Sequence, residues 1–401
     1  MNPRPVAFLL CATACGGAEA GDLAQARTDT LPGGVVRIMS EGPTAWTDSA
    51  GVALVEEHRF HGEDGTPSEL GEPRSIALDA SGRVYVVDAK PAAIKVYDPD
   101  GRFVRTIGRE GEGPGEFRMG FIAVRDQHLV LHDPRVARTS LFDTSGTFVR
   151  SWHSSCCYWS DIQIDREHRI YIPSITGSSD PPRGTPWVRW SLEGTALDTV
   201  WAPWKESEKI WTVTVKQGGK QAAAMSTSVP FMPQLVSGLH PEGGIVSGWS
   251  GTYEIVRSLR GSDSVMVFGR AWTPDPVTAE RRAGEVESRI KVAASTYGEA
   301  TVRNAFKLED VPATLPAFES LRVDPGGRTW ARRWPVSDTT RTSFDLFDAA
   351  GAYLGRVELS IRINAWGNQA WTKDGLVAVI EDHEGRPTVV RFALQPGSKS
   401  R

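Results

Sequence analysis

One pattern recurs six times along the chain, and nothing else in the sequence restricts the fold as much. IALDASGRVYVVD (residues 76–88) is echoed by IAVRDQHLVLHD (122–133), IQIDREHRIYIPS (162–174), LVSGLHPEGGIVSGW (235–249), LRVDPGGRTWARR (321–333) and WTKDGLVAVIED (371–382). A second half follows each copy: IKVYDPDGRFVRTIG (94–108), TSLFDTSGTFVRSW (139–152), WVRWSLEGTALDTVW (187–201), YEIVRSLRGSDSVMVFG (253–269), FDLFDAAGAYLGRVEL (344–359) and the short TVVRFAL (388–394). Each half is a pair of strand-length apolar runs around a turn rich in Asp and Gly. Asp accepts hydrogen bonds from backbone N–H groups two residues on, and Gly tolerates positive φ. Asp79, Asp98, Asp143, Asp324 and Asp348 are therefore assigned to turns rather than to chemistry. Two such hairpins in succession make a four-stranded antiparallel meander, the unit of a propeller blade, and stacked repeats share a continuous core.

The sixth copy lacks its last strand. An isolated strand-like run, GVALVEEHRF (51–60), stands ahead of the first copy without a local partner. Pairing it with the end of the chain closes the ring and leaves no long exposed edge. The expected fold is all-β: a six-bladed β-propeller over residues 46–396, closed by the N-terminal strand. Fourteen Trp and forty Gly suit it.

Two segments interrupt the repeat. Residues 206–228 read as an extra hairpin turning at Gly218-Gly219. Residues 275–310 carry the one helical pattern, with Thr278 as N-cap and Val286, Ile290 and Ala293 at three- and four-residue spacing, which places a helical insertion between blades four and five. The bland reading is a decorated connection; the sharper one is a lid or a docking element.

The stretch DPDGRF (98–103) followed by IGREGEGPGEF (107–117) resembles the six-bladed β-propellers of the NHL-repeat type, in particular a group of bacterial secreted or lipoprotein members. TDSAGVALVEE (47–57), VPFMPQLVSGLHPEGG (229–244) and LPAFESLRVDPGGRTWARR (315–333) extend the likeness over nearly the whole mature chain. Arg125-Asp126-Gln127-His128 departs from the group's Asp-to-Gly turn. The resemblance implies a fold and little about activity.

A net charge of -4 without long runs of one sign gives no footprint for nucleic acid. The first residues, MNPRPVAFLLCATACGG, read as a signal peptide over 1–14, with an apolar run too short to span a bilayer. Small residues directly before Cys15 resemble the lipobox of bacterial lipoproteins, with Ala12 where that family prefers leucine. Cys15 is the expected lipidation site, residues 15–45 a lipidated tether without structure, and the location the periplasm or the outer membrane and cell surface. The membrane is reached through the lipid anchor, and the chain is expected to be a monomer.

In a propeller the loop between second and third strands, and the connection to the next blade, emerge on one face around the central channel. On this reading the ligand-binding candidates are Asp88, Arg109, Glu116, Arg118, His132, Asp133, Arg135, His153, Arg332, Arg333, Asp382 and His383. Imidazole and carboxylate side chains among them suit a divalent metal such as Ca or Zn, but no HxxxH-like spacing supports one; scattered polar loop residues are the plainer reading. No metal or other cofactor is assigned. Adjacent Cys156 and Cys157 in an exported chain could form a vicinal disulfide, or stay reduced or pair outside the chain. The Gly-rich 108–117 loop lacks the following helix and the GK[ST] ending of a phosphate cradle, and no GxSxG, HExxH or CxxC occurs. The expectation is a binding or scaffold module for a saccharide, peptide or protein partner rather than an enzyme. The alternative is a metal-dependent hydrolase or lyase using the channel face, by likeness to gluconolactonase-like and peptidyl-amidating six-bladed enzymes.

Overall fold

The computed structural model describes residues 25–41, 44, 46, 52–60, 62, 65–154, 162–174, 186–202, 209–217, 220–259, 263–336, 341–363, 369–381 and 384–396. The fold is all-β and propeller-like. Pro73–Leu78, Val84–Ala89, Ala92–Tyr97 and Phe103–Ile107 form an antiparallel meander in chain order. The same order returns in Phe121–Arg125, His128–Asp133, Arg138–Asp143 and Phe148–His153, and again in Gln163–Ile164, Ile170–Pro173, Pro186–Trp190 and Ala196–Trp201. Leu235–Leu239, Ile245–Trp249, Glu254–Ser258 and Ser264–Arg270 follow, then Ser320–Val323, Thr329–Arg332, Thr342–Phe347 and Tyr353–Leu359. Gln369–Thr372, Gly375–Glu381 and Pro387–Pro396 come last.

That last sheet is completed by Val52–Phe60, antiparallel to Pro387–Pro396 with Phe60 opposite Val389. The expected pairing of the first strand with the end of the chain is thus present. The same strand also touches Tyr353–Leu359 in parallel, Val52 opposite Val357, so the last two meanders merge into one eight-stranded sheet.

Burial explains the order of the strands within a sheet. Second strands such as VYVVDA and GLVAVIE are covered on both faces by neighbouring sheets, whereas the outermost strand FVRTI alternates. Each sheet shares an apolar cluster with the next. Tyr85 and Ile94 pack with Leu131 and Phe142 between the first and second sheets, and Phe60 and Val84 with Val377 and Val389 between the last and the first. The succession of clusters therefore runs round to its starting point.

The assigned turn aspartates do turn work. In three turns the work extends to a small module, Asp-x-x-x-Arg-x-Tyr/Trp. Asp79 accepts from the backbone N–H groups of Ser81 and Arg83, from the Arg83 guanidinium at 2.7 Å and from Tyr85 Oη. Asp165 does the same with Arg169 and Tyr171, and Asp324 with Arg328 and the Trp330 indole. Each carboxylate thereby fixes the turn and orients an aromatic ring into the core. Gly101 has φ +79°, and a Cβ there would run into the ring of His58 on the closing strand. In the turn between the first two strands of the second sheet, where the Asp-to-Gly pattern is lacking, Asp126 itself takes φ +52°, one of the few non-glycine types that tolerate it.

One expectation is corrected. Residues 15–45 were assigned to a structureless tether, yet Gln25–Leu31 and Val35–Glu41 form a hairpin whose second strand pairs in parallel with Ser264–Arg270. The fourth sheet thereby has six strands. Val35–Glu41 alone is a short mixed run, and its partner lies more than two hundred residues away, so local composition understates it.

Thr278 caps helix α1 (Ala279–Tyr297) by accepting from Arg281 N, and Gly298, at φ +81°, separates it from α2 (Glu299–Ala305). The expected hairpin is Ile210–Gln217 with Lys220–Ser228. The two insertions meet: Trp211, Val213, Val286, Ile290, Ala293 and Phe306 belong to one apolar cluster, with Trp211 stacked on Phe306 at 4.7 Å. Asp310 seals their edge, accepting from Trp211 Nε1 at 2.9 Å and from Lys209 Nζ at 2.5 Å. Among the described residues no helix is long and apolar enough to cross a membrane.

Candidate functional site

Several of the candidate residues serve the loops they sit in. Asp88, fully buried at the end of a second strand, accepts from the backbone N–H groups of Gly71, Glu72 and Lys90 and pairs with Lys95 at 2.9 Å. Asp133 holds the equivalent place in the next sheet and accepts from Arg118, Met119 and Arg135 N–H groups. Both carboxylates pin the connection arriving from the preceding sheet, which uses up most of their acceptor capacity. Arg109 pairs with Glu116 at 2.7 Å and Arg118 with Glu112 at 2.8 Å within the Gly-rich connection. Exposed pairs of this kind contribute little to stability. Arg135 and His153 are exposed. Arg332 faces Glu319 at 3.2 Å and donates to the Ile363 carbonyl; Arg333 pairs with Asp275 at 2.6 Å. Asp382, His383, Cys156, Cys157 and Cys15 lie outside the described residues. Among the described residues no group of three or more His, Cys, Asp or Glu is placed to hold a metal.

His132 is buried, with Nδ1 3.1 Å from Thr139 Oγ1 and 3.3 Å from Ser154 Oγ, and burial pushes its pKa down to about 4. His240 is also held near 4, first by burial and then by Arg257, while its Nδ1 accepts from Glu242 N. Both are neutral when folded, so protonation favours the unfolded chain. Their contribution is whole above the ordinary value of 6.5 and is lost as pH falls from there toward 4, at roughly 1.4 kcal/mol per pH unit for each group. Urea unfolding at pH 7.5 and pH 5 should show this fall, and H132Q should reduce it by about half; an unchanged slope would remove His132 from the account.

A buried ionic cluster between the fourth and fifth sheets takes in one candidate, Arg333, but centres on Asp345, which was not among them. Asp345 lies 2.7 Å from Tyr253 Oη, 2.9 Å from Tyr353 Oη, 3.1 Å from Arg270 and 3.5 Å from Arg333. Arg270 also sits over the Tyr253 and Tyr353 rings at 5.1 and 4.8 Å. Burial first, and the Asp345 charge second, drive both phenols well above their ordinary values. Through Arg333 and Asp275 the cluster connects to the segment leading into α1. The only sequence signal was an acid within the apolar run SFDLF.

The feature to which the whole repeat contributes is a cavity of about 140 Å³ where the first strands of the meanders converge. Ile76, Ile122, Gln163, Gly238, Arg322 and Gln369 line it, one from each. A Cβ on Gly238 would meet the Leu321 carbonyl oxygen, so only glycine lets these two inner strands approach as they do. Trp187, Trp371 and Ser237 complete its polar and aromatic wall. Beside it, burial and the neighbouring Arg362 and Arg322 hold Arg332 below its ordinary pKa against the pull of Glu319. Burial raises Glu319 despite Arg332 and Arg362. None of the cavity-lining residues was among the expected candidates, because the loop-face argument looks past the inner strands.

Residues 68–150 match the profile of the DUF5128 family, described as a 6-bladed beta-propeller. No curated protein matches the chain. Among solved structures, the chain is similar to a Bacteroides fragilis protein assigned as exported (11% identity, 90% of this chain and 99% of the other, TM-score 0.47). It is also similar to a member of the DUF4221 family from Bacteroides vulgatus (10% identity, 86% and 99%, TM-score 0.49). A third is virginiamycin B lyase from Staphylococcus aureus (10% identity, 86% and 100%, TM-score 0.43).

Proposed function

We propose that the chain is a six-bladed β-propeller of the NHL-repeat type, exported and anchored through lipidated Cys15, whose central cavity binds a small polar ligand. The hairpin and the helical insertion then stand between blades three and four and between blades four and five. The observation that carries the reading is the cavity, where polar and aromatic residues of successive inner strands line one concave space, as binding sites do. The six meanders sharing clusters in sequence, and the family match over residues 68–150, support the blade count. Protein purified from the membrane fraction of a bacterial host is expected to begin at a diacylated Cys15 by mass spectrometry; an unmodified first residue elsewhere would refute the anchor.

Binding is tested by tryptophan fluorescence against saccharides, short peptides and small organic acids in EDTA, since Trp187 and Trp371 line the cavity. A ligand should shift the emission of the wild type and lose at least tenfold in affinity in the Gln163→Ala, Ser237→Ala double variant, with the melting temperature unchanged. Turnover of any of these compounds that is abolished by EDTA would replace the binding module with a metal-dependent hydrolase or lyase.

A further inference from the structure

We propose that the cavity takes an uncharged six-membered ring with a cis-amide edge, a lactam or a cyclic dipeptide. This rests on the reading of the cavity as the binding site. Its wall is two-sided. The first and second meanders contribute Ile76 and Ile122 alone, both buried, whereas Gln163, Ser237, Arg322 and Gln369 come from the third to the sixth. In the proposed ring of six blades the two isoleucines stand across from Ser237 and Arg322. An occupant with one apolar side and one hydrogen-bonding edge covers both halves at once. Its C–H groups displace water from the isoleucines, and its polar edge turns toward the amide and hydroxyl groups.

A second observation narrows the polar edge. The carboxamide of Gln163 and the hydroxyl of Ser237, both partly buried, bond to no group among the described residues, and both remain open to a water-sized molecule. Arg322, by contrast, donates to the Leu321 carbonyl at 3.1 Å and, like Gln369, has further contacts within the protein. The wall holds no Asp or Glu and its one guanidinium is already engaged, so an ionic group entering it would give up water without gaining a counter-charge. A carboxamide offers an acceptor and a donor side by side. A cis amide offers the same pair in reverse, so the two meet through two parallel hydrogen bonds. An open-chain secondary amide is held trans, with its N–H and C=O pointing apart, and meets only one of them. A small ring locks the amide cis, which is why a ring is the fitting occupant. Its size agrees: the space is about 140 Å³, close to the roughly 150 Å³ of an apolar protein cavity that admits benzene.

The test is isothermal titration calorimetry of the full exported protein with δ-valerolactam, its N-methyl derivative, its ring-opened amino acid and D-glucose. The lactam is expected to bind at least tenfold more tightly than each of the other three, which lack in turn the N–H donor, the uncharged ring and the apolar side. Gln163→Leu should abolish the preference for the lactam over its N-methyl derivative. Equal affinity for those two, or binding of the ring-opened compound as tight as that of the lactam, would overturn the amide pairing while leaving the cavity as a binding site. Lactam binding unaffected in a folded Gln163→Leu protein would place the ligand elsewhere and overturn it too. If the lactam does not bind but glucose or another library compound shifts the tryptophan emission, the cyclic-amide inference fails alone. If nothing binds, both readings fail. The comparison among the four compounds uses the wild type, so it decides the matter even if Gln163→Leu does not fold.

Discussion

Asp345→Ala is expected to lower the stability of the protein by about 3–5 kcal/mol, the cost of breaking a buried ionic arrangement by removing one partner. The carboxylate is fully buried and serves two phenols together with Arg270 and Arg333, with Arg356 3.6 Å away. Without it the phenols lose their acceptor and the guanidinium charges remain in a confined space without compensation. Burying such a group unpaired costs far more than the modest net value of forming the pair. Asp345→Asn removes the charge and one of the two acceptor oxygens but keeps the other for one phenol, while its NH2 can donate to the second phenol's oxygen, so it should fall between wild type and alanine. Urea unfolding with the m-value compared among the three proteins checks this. A loss below about 1 kcal/mol for alanine would mean that water or a rearranged neighbour replaces the carboxylate.

That cluster also shows where reading the sequence stops. The turn aspartates were legible because their partners are two to four residues away: Asp98 accepts from Arg102 N and Asp348 from Ala350 and Ala352 N. Helix α1 was legible for the same reason, since a 3.6-residue period and a capping threonine are local facts. Asp345, by contrast, meets Tyr253 across ninety-two positions, and nothing near either residue announces the other. The N-terminal hairpin was missed because its register is set by Ser264–Arg270. Asp88 and Asp133, expected in loops of the channel face, stand at the ends of second strands, and sequence position does not say whether a carboxylate faces a ligand or the backbone of the incoming loop. The cavity was hidden for a topological reason. Its lining is gathered from the first strands of six meanders far apart in the chain, with Trp187 from a third strand, and Ile76, Gln163 and Gln369 are each unremarkable in their own repeat.

The closure of the ring gives the second large effect. Val390 is fully buried in Pro387–Pro396, a strand flanked on one side by Gly375–Glu381 and on the other by Val52–Phe60, with Val390 opposite Ala378 and Arg59. Val390→Pro removes a ladder donor from an interior strand and forces a ring into it, at a cost of about 3 kcal/mol or more. The penalty is larger in effect than in energy. A strand that can no longer bridge its neighbours leaves two unpaired edges, which invite pairing between molecules. Leu197→Pro is the matched control. Leu197 is half-exposed in the outermost strand of its sheet, at a register shift where Arg189 faces Asp198 and Trp190 faces Ala196, so residue 197 has no cross-strand partner. Proline is tolerated on edges and at bulges. Gel filtration and hydrogen exchange should therefore find Leu197→Pro monomeric and protected like wild type, while Val390→Pro is largely aggregated. Any monomer that Val390→Pro retains should have rapid exchange in Val52–Phe60 as well as in the mutated strand. Protection retained in Val52–Phe60 would show that its contact with Tyr353–Leu359 suffices to hold the first strand, and that the ring does not depend on the pairing of its two ends.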